Sequence, residues 1–386
     1  MSDSLVIRNG NTLLPDGRVD TADVLAESGI ISKIGPGITA AKEIDASGSY
    51  VLPGLVDIHT HGMVREAFSS EYLDEYCRLE ASFGCTAFLV TLFGPAEESA
   101  ENMRRHRKNT DELRALPQVA GFRLESPYLA NAYGGSTRDI AQIDDKTTGE
   151  LLDAGGVHIK VWDFSPELDG AAELISDLSS KGITCSLAHT HATIEQAKAA
   201  VDAGARLVTH LYDTFLIPEV TDLGVFPEGL VDYLLVEDRV ACEIISDGTH
   251  VPPLLVERTL RCKPMDKTVF ITDSNYGAGL PPSTFDLPHN WGRAIVDGPN
   301  NGIRLLDRDM RLSGSALTPI HALRNCMTLF GKDIATAVRL CSTNPSKLLG
   351  FNKGEIAVGK DADFIVLDEQ LELRYTIVRG KIVYAK

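Results

Sequence analysis

Eight short apolar runs, at 55–59, 86–92, 119–125, 158–162, 184–189, 206–210, 240–245 and 269–273, alternate through the middle of this chain with segments of helical spacing such as 194–203 and 253–262. Strand–helix alternation repeated eight times predicts an α/β chain folded as a (β/α)8 TIM barrel, whose parallel strands close inside a ring of helices. A doubly wound open sheet is the rival, but no G-x-G-x-x-G turn follows the first strand to favour it. The two ends read differently. Strand-like pieces at 5–7, 12–14, 23–26 and 30–34 are punctuated by Asn9-Gly10, Pro15-Asp16-Gly17 and Ser28-Gly29, and pieces at 354–356, 364–367, 375–379 and 381–384 resemble them. A small β-sandwich domain formed by both termini, 1–53 plus 353–386, is therefore expected beside a barrel over 54–352. The Pro-, Gly- and Asp-rich stretch 281–313 is expected to hold a hairpin, 293–296 with 303–306, after the eighth strand.

The chain has 386 residues and a formal net charge of −17, a field that repels phosphate backbones and anionic membrane surfaces. Neither nucleic acid nor a membrane is expected as a partner. The seven cysteines form no C-x-x-C pair and are odd in number, which points to buried thiols in a reducing, cytoplasmic setting. No segment reads as a signal peptide or a membrane span.

What closes the strands is more informative. The first ends in His59-Thr60-His61, and alternate residues of a strand share a side, so two imidazoles can face one cation. Glu125 closes the third, where a carboxylate is costly to bury unless paired or metal-bound. The fifth ends in His189 and the sixth in His210, one strand–helix unit later, so the two stand at equivalent heights on neighbouring strands. Asp273 closes the eighth, placed to take a proton from a metal-activated water and return it to a leaving nitrogen. His250 follows the seventh strand and faces the same mouth, a candidate for polarising the substrate.

These residues resemble the amidohydrolase superfamily and, within it, the N-acetylglucosamine-6-phosphate deacetylase branch. The resemblance rests on the run from Val51 to Gly62, on Glu125-Ser126-Pro127-Tyr128, His189-Thr190-His191-Ala192-Thr193, Thr209-His210-Leu211-Tyr212-Asp213, Asp247-Gly248-Thr249-His250, the Ser313 to Thr318 loop, and the closing Asn344-Pro345-Ser346-Lys347 and Gly359-Lys360-Asp361-Ala362-Asp363. It implies Glu125, His189 and His210 as ligands of a principal divalent metal, and His59 and His61 as holders of a second. Asp273 would lie at the metal as general acid/base, and His250, Asp213, Tyr212, Leu211 and Ser315 would meet the substrate. It also implies zinc or iron, one or two ions, and a homodimer.

The sequence departs from the branch where a phosphate would sit. Residues 216–229 contain no Lys or Arg and carry Glu219, Asp222 and Glu228, and the loop after Glu125 offers Arg138 as its nearby cation. Phosphate needs positive charge and donors, so this stretch argues against a phosphorylated sugar. Asp213 and His191 each replace an Asn. The expected activity is hydrolysis of a small-molecule amide, with deacetylation of an N-acetylated amino sugar foremost. The alternatives are hydrolysis of an N-acyl amino acid or cyclic amide, and a non-enzymatic binding barrel.

Overall fold

The computed structural model describes residues 4–64, 66–67, 73–130, 142–220, 222–287 and 292–386. Arg138, weighed above as the cation of the loop after Glu125, lies outside them. Eight parallel strands neighbour one another in chain order: β1 (Leu55–Thr60), β2 (Cys85–Leu92), β3 (Val119–Leu124), β4 (Ile159–Phe164), β5 (Thr184–Leu187), β6 (Leu207–Val208), β7 (Ala241–Ile245) and β8 (Thr268–Ile271). The Asp273 amide donates to the His59 carbonyl at 2.9 Å and Thr60 bridges Ser274, which brings the far edge back to β1 and closes the barrel. Helices cover the outside, so the strands are apolar on both faces and every residue of β2 is buried. Ala87, Val161, Leu207, Ala241 and Ile271 point inward to one core, while Phe88, Phe122, Trp162, Leu187 and Ile244 pack outward against the helices.

Both chain ends share one eight-stranded sheet. Phe364–Leu367 pairs antiparallel with Tyr50–Pro53, which runs parallel to the end of Ser4–Leu13. Period-two alternation sorts its faces. Val51, Phe364 and Val366 join Leu5, Ile7 and Ile377 in one core, and Leu52, Ile365 and Leu367 join the barrel-side core. The expected hairpin is the middle of a four-stranded antiparallel sheet, Ser283–Asp286, Arg293–Val296, Ile303–Leu305 and Arg311–Leu312, with its own small core around Phe285 and Val296. From there Ser315 returns to bridge Ser274.

Four local readings differ from the structure. Asn9-Gly10 is no turn but an irregularity within a single strand, Ser4–Leu13. Asn9 takes φ 58°, its amide donates to Asp23 Oδ1 at 3.0 Å, and a Cβ on Gly10 would fall 2.3 Å from Val51 Cγ2. Residues 354–356 form a bend, not a strand. β5 and β6 stop two residues short of His189 and His210, because those histidines hold φ 44° and 26°, outside the β region. In β1 the inward–outward alternation breaks: three steps from Asp57 to Thr60 face two from Phe88 to Val90. This bulge turns Thr60 out to Tyr76 and Glu80 and leaves His59 and His61 together.

Gly10→Ala is expected to destabilise the chain by about 1–3 kcal/mol through overpacking against Val51. The added cost should shrink in a Val51→Ala background, measured as the shift of the urea midpoint in the four-variant cycle.

Candidate metal centre and active site

Each functional side chain leaves the barrel at the C-terminal end of a strand. His59 is the penultimate residue of β1, Glu125 follows β3 by one residue, and His189, His210 and Asp273 follow β5, β6 and β8 by two. The last three sit at φ 44°, 26° and 48°. Left-handed backbone at a residue other than glycine costs about 1–3 kcal/mol and persists where the surroundings enforce it, although His and Asp tolerate it better than most. The Thr193 hydroxyl and Gln196 side chain form a reciprocal cap on the helix Ile194–Ala203, which fixes the loop from His189 to the outer wall.

The side chains converge. His59 Nε2 stands 3.2 Å from both His61 Nε2 and Glu125 Oε2, and His61 Nε2 stands 2.9 Å from the same oxygen. Asp273 Oδ1 lies 3.5 Å from His59 Nε2 and 3.3 Å from His61 Nε2. The other oxygen of Glu125, Oε1, faces His189 Nε2 at 2.9 Å and His210 Nε2 at 3.2 Å. One carboxylate thus serves two donor sets. A cation bonded at about 2.1 Å in a tetrahedral shell sets its donors roughly 3.4 Å apart, and the His59–His61–Asp273 atoms approach that spacing, as do those of His59, His61 and Glu125. On the other side His189 and His210 face Glu125 Oε1, and His59, Glu125 and His210 offer donor atoms within 4.8 Å of one another. The donor set therefore fits a divalent cation.

The charges agree. Burial and the Arg123 charge push the His59 imidazole down, but Glu125 and Asp273 outweigh them and carry it up to about 10. Burial likewise opposes protonation of His210, and Glu125 with Asp213 lifts it to about 9. Burial raises Glu125, but the imidazoles hold it well below the usual carboxylate range. Such a pocket demands positive charge, and protons and metal compete for the same nitrogens.

Around this centre the roles divide. The Asp247 carboxylate grips His250 twice, accepting from its backbone amide at 2.8 Å and contacting Nδ1 at 2.6 Å. Burial lowers the His250 imidazole, but Asp247 and the charges of Asp213 and Asp273 raise it. Three of the expected substrate contacts have their side chains engaged elsewhere. Leu211 is fully buried in the barrel–helix core, and the Tyr212 hydroxyl bonds Thr259 Oγ1 at 2.9 Å in the helix Pro253–Cys262. Ser315 Oγ donates to the Thr272 carbonyl at 2.6 Å, and its amide to the Asp273 carbonyl at 2.7 Å, so it braces the Asp273 backbone. His191 donates its amide to Glu167 Oε1 at 2.8 Å.

The sequence reading missed the layer beneath. Arg123, Asp163 and Glu243 are fully buried inside the barrel, and Arg123 bonds both carboxylates. A signal was present: if Glu125 points inward, so does Arg123 two residues earlier. Phe93 was missed too. Its ring stands edge-on to His61 at 6.3 Å and tilted to His189 at 6.1 Å, an apolar wall beside the donors.

Glu125→Ala is expected to strip divalent metal from the purified chain, because its oxygens serve both donor sets. His61→Asn leaves Glu125, His189 and His210 intact and should retain metal. Elemental analysis of the two proteins measures the difference.

Comparison with known proteins follows the same lines. The amidohydrolase family model matches residues 50–383. N-acetylglucosamine-6-phosphate deacetylase from Lysinibacillus sphaericus is 30% identical over 98% of this chain and 97% of its own. N-acetylgalactosamine-6-phosphate deacetylase from Escherichia coli O157:H7 is 27% identical over 98% of each. The crystal structure of N-acetyl-D-glucosamine-6-phosphate deacetylase from Mycobacterium smegmatis superposes with a TM-score of 0.85 at 25% identity, covering 99% of this chain and 100% of that one.

Proposed function

The chain belongs to the amidohydrolase family, and on that premise we propose that it is a metal-dependent hydrolase that deacetylates an N-acetylated amino sugar. The observation that carries this reading is the Glu125 carboxylate set between two donor groups, with Asp273 at 3.3–3.5 Å from the His61 and His59 nitrogens. The named relatives act on acetylated amino-sugar phosphates, which supports the same chemistry here.

Glu125, His189 and His210 would hold the principal cation, and His59 and His61 with Asp273 a second. A bound divalent ion supplies Lewis acidity at the acetyl carbonyl and acidifies water. The rest falls to the chain. Asp273, held ionised by the neighbouring imidazoles although burial opposes it, accepts the proton of the attacking water. It then returns that proton to the departing amine, so the nitrogen leaves neutral. His250, gripped by Asp247, donates from its remaining ring nitrogen toward the oxygen on which charge develops. Asp213 accepts sugar hydroxyls. Phe93 excludes water from one side of the donors. Zinc suits the mixed nitrogen and oxygen donors.

One observation favours an unphosphorylated substrate. Residues 216–229, a few residues beyond His210, supply no Lys or Arg. In their place Leu216, Ile217, Val220, Leu223, Val225 and Phe226 are exposed. Exposed apolar side chains of this kind fit a second copy of the chain, and a homodimer through this segment is part of the proposal. Six of the seven cysteines are buried free thiols, which suits a cytoplasmic enzyme. Among the described residues no helix is long and apolar enough to cross a membrane.

Asp273→Asn should keep bound metal and lose turnover by at least about 100-fold. Full activity in that variant removes Asp273 from the chemistry. A panel of N-acetylglucosamine, N-acetylgalactosamine, their 6-phosphates and N-acyl amino acids, read by release of free amine, tests the substrate. The free N-acetylhexosamine is expected to match or exceed its 6-phosphate in kcat/KM, and a strong preference for the phosphate would reverse that part of the reading.

A further inference from the structure

We propose that Glu243 and Arg123 form a positioning pair for the cation site: Glu243 fixes the His59 imidazole with its Nδ1 proton turned outward and its Nε2 lone pair turned to the donors, and Arg123 fixes Glu243. This rests on the reading that the site holds a cation.

The interior of such a barrel is normally filled by branched apolar side chains. Here Arg123 from β3, Asp163 from β4 and Glu243 from β7 cross it, each fully buried. Every N–H of the guanidinium finds an acceptor. Nε donates to Asp163 Oδ2 at 3.0 Å, and Nη1 donates to the Ile58 carbonyl at 3.1 Å and to Glu243 Oε1. Nη2 donates to Asp163 Oδ1 at 3.1 Å, Thr209 Oγ1 at 2.9 Å and Glu243 Oε2 at 3.0 Å. Gripped through both oxygens, Glu243 cannot rotate. Its Oε2 also stands 3.4 Å from His59 Nδ1 and 3.4 Å from the His210 amide.

The tautomer follows. An ionised carboxylate only accepts, so the nitrogen opposite it carries the proton, and a neutral imidazole then has its lone pair on the other nitrogen. That nitrogen is His59 Nε2, the atom 3.2 Å from both His61 Nε2 and Glu125 Oε2. His210 differs from His59 in this respect, because its Nδ1 is buried without a partner. Arg123 and Asp163 cancel in charge, and the trio delivers its one net negative charge at His59. Stability alone does not require the trio, since apolar side chains of similar volume replace buried ion triads at little or no cost.

The test uses the purified full chain, stripped by chelator and titrated with zinc against a chromophoric competitor, with Tm recorded beside each affinity. Glu243→Gln is expected to weaken zinc binding about 10–100-fold, the usual cost of losing a carboxylate behind a ligating histidine. Asp163→Asn touches Arg123 but not His59, and should stay within about threefold of the parent even where its Tm falls. If Glu243→Gln does not fold, the Arg123→Met/Asp163→Leu/Glu243→Met triple variant removes all three charges together and should show the same loss. Zinc affinity within about threefold of the parent in a folded Glu243 variant overturns the proposal, as does an equal loss in Asp163→Asn. A parent that takes up no cation overturns the metal reading as well, so the two failures are distinct.

Discussion

The Glu125 carboxylate is the constraint on which the site depends. Fully surrounded by protein, an ionised carboxylate must be compensated, and here each oxygen faces a different pair of imidazoles. Those imidazoles come from β1, β5 and β6, far apart in sequence, so the compensation exists only when the barrel is closed. Closure is tied to the same residues: the Asp273 amide donates to the His59 carbonyl, and Thr272 Oγ1 donates to Asp57 Oδ2 at 2.5 Å. The hydrogen bonds that join the last strand to the first therefore also set the separation of the Asp273 carboxylate from the His59 and His61 nitrogens.

The barrel was legible because burial on both faces writes itself as apolar runs, and the strand-terminal His, Glu and Asp stood out against them. The exceptions have local causes. His189 and His210 extend past their strands because left-handed backbone aims their rings, and no sequence pattern announces φ for a histidine. His59 and His61 were paired by simple alternation, yet a bulge between Asp57 and Thr60 produces that pairing and turns Thr60 away. Asn9-Gly10 carries the residue types of a turn but is used as a kink within a strand, since glycine is needed there for the approach of Val51. Tyr212 and Ser315 adjoin functional positions in the chain, but tertiary packing, which sequence adjacency does not encode, sends their hydroxyls to Thr259 and to the Thr272 carbonyl. Arg123 was hidden because a single charge inside an apolar run reads as noise until its neighbour is known to face inward.

Chemistry and specificity are built by different parts of the chain. The donors and Asp273 sit at strand ends, held by the closed sheet. The surfaces that would meet the rest of a substrate come from segments such as 210–229 and the inserted four-stranded sheet, which hang from the barrel and tolerate change more readily. Relatives with the same fold and the same hydrolytic machinery can therefore differ in the group they recognise beyond the amide.

The ionic layer under the site has an evolutionary consequence. Removing Arg123 strands two buried carboxylates, an uncompensated charge costing about 3–5 kcal/mol, whereas removing either carboxylate leaves the guanidinium paired with the other. Against a total stability of about 5–15 kcal/mol, that is a barrier to drift. Arg123 should therefore be retained for as long as Asp163 or Glu243 remains buried beside it, and a lineage that acquired the trio would find the guanidinium the hardest member to lose.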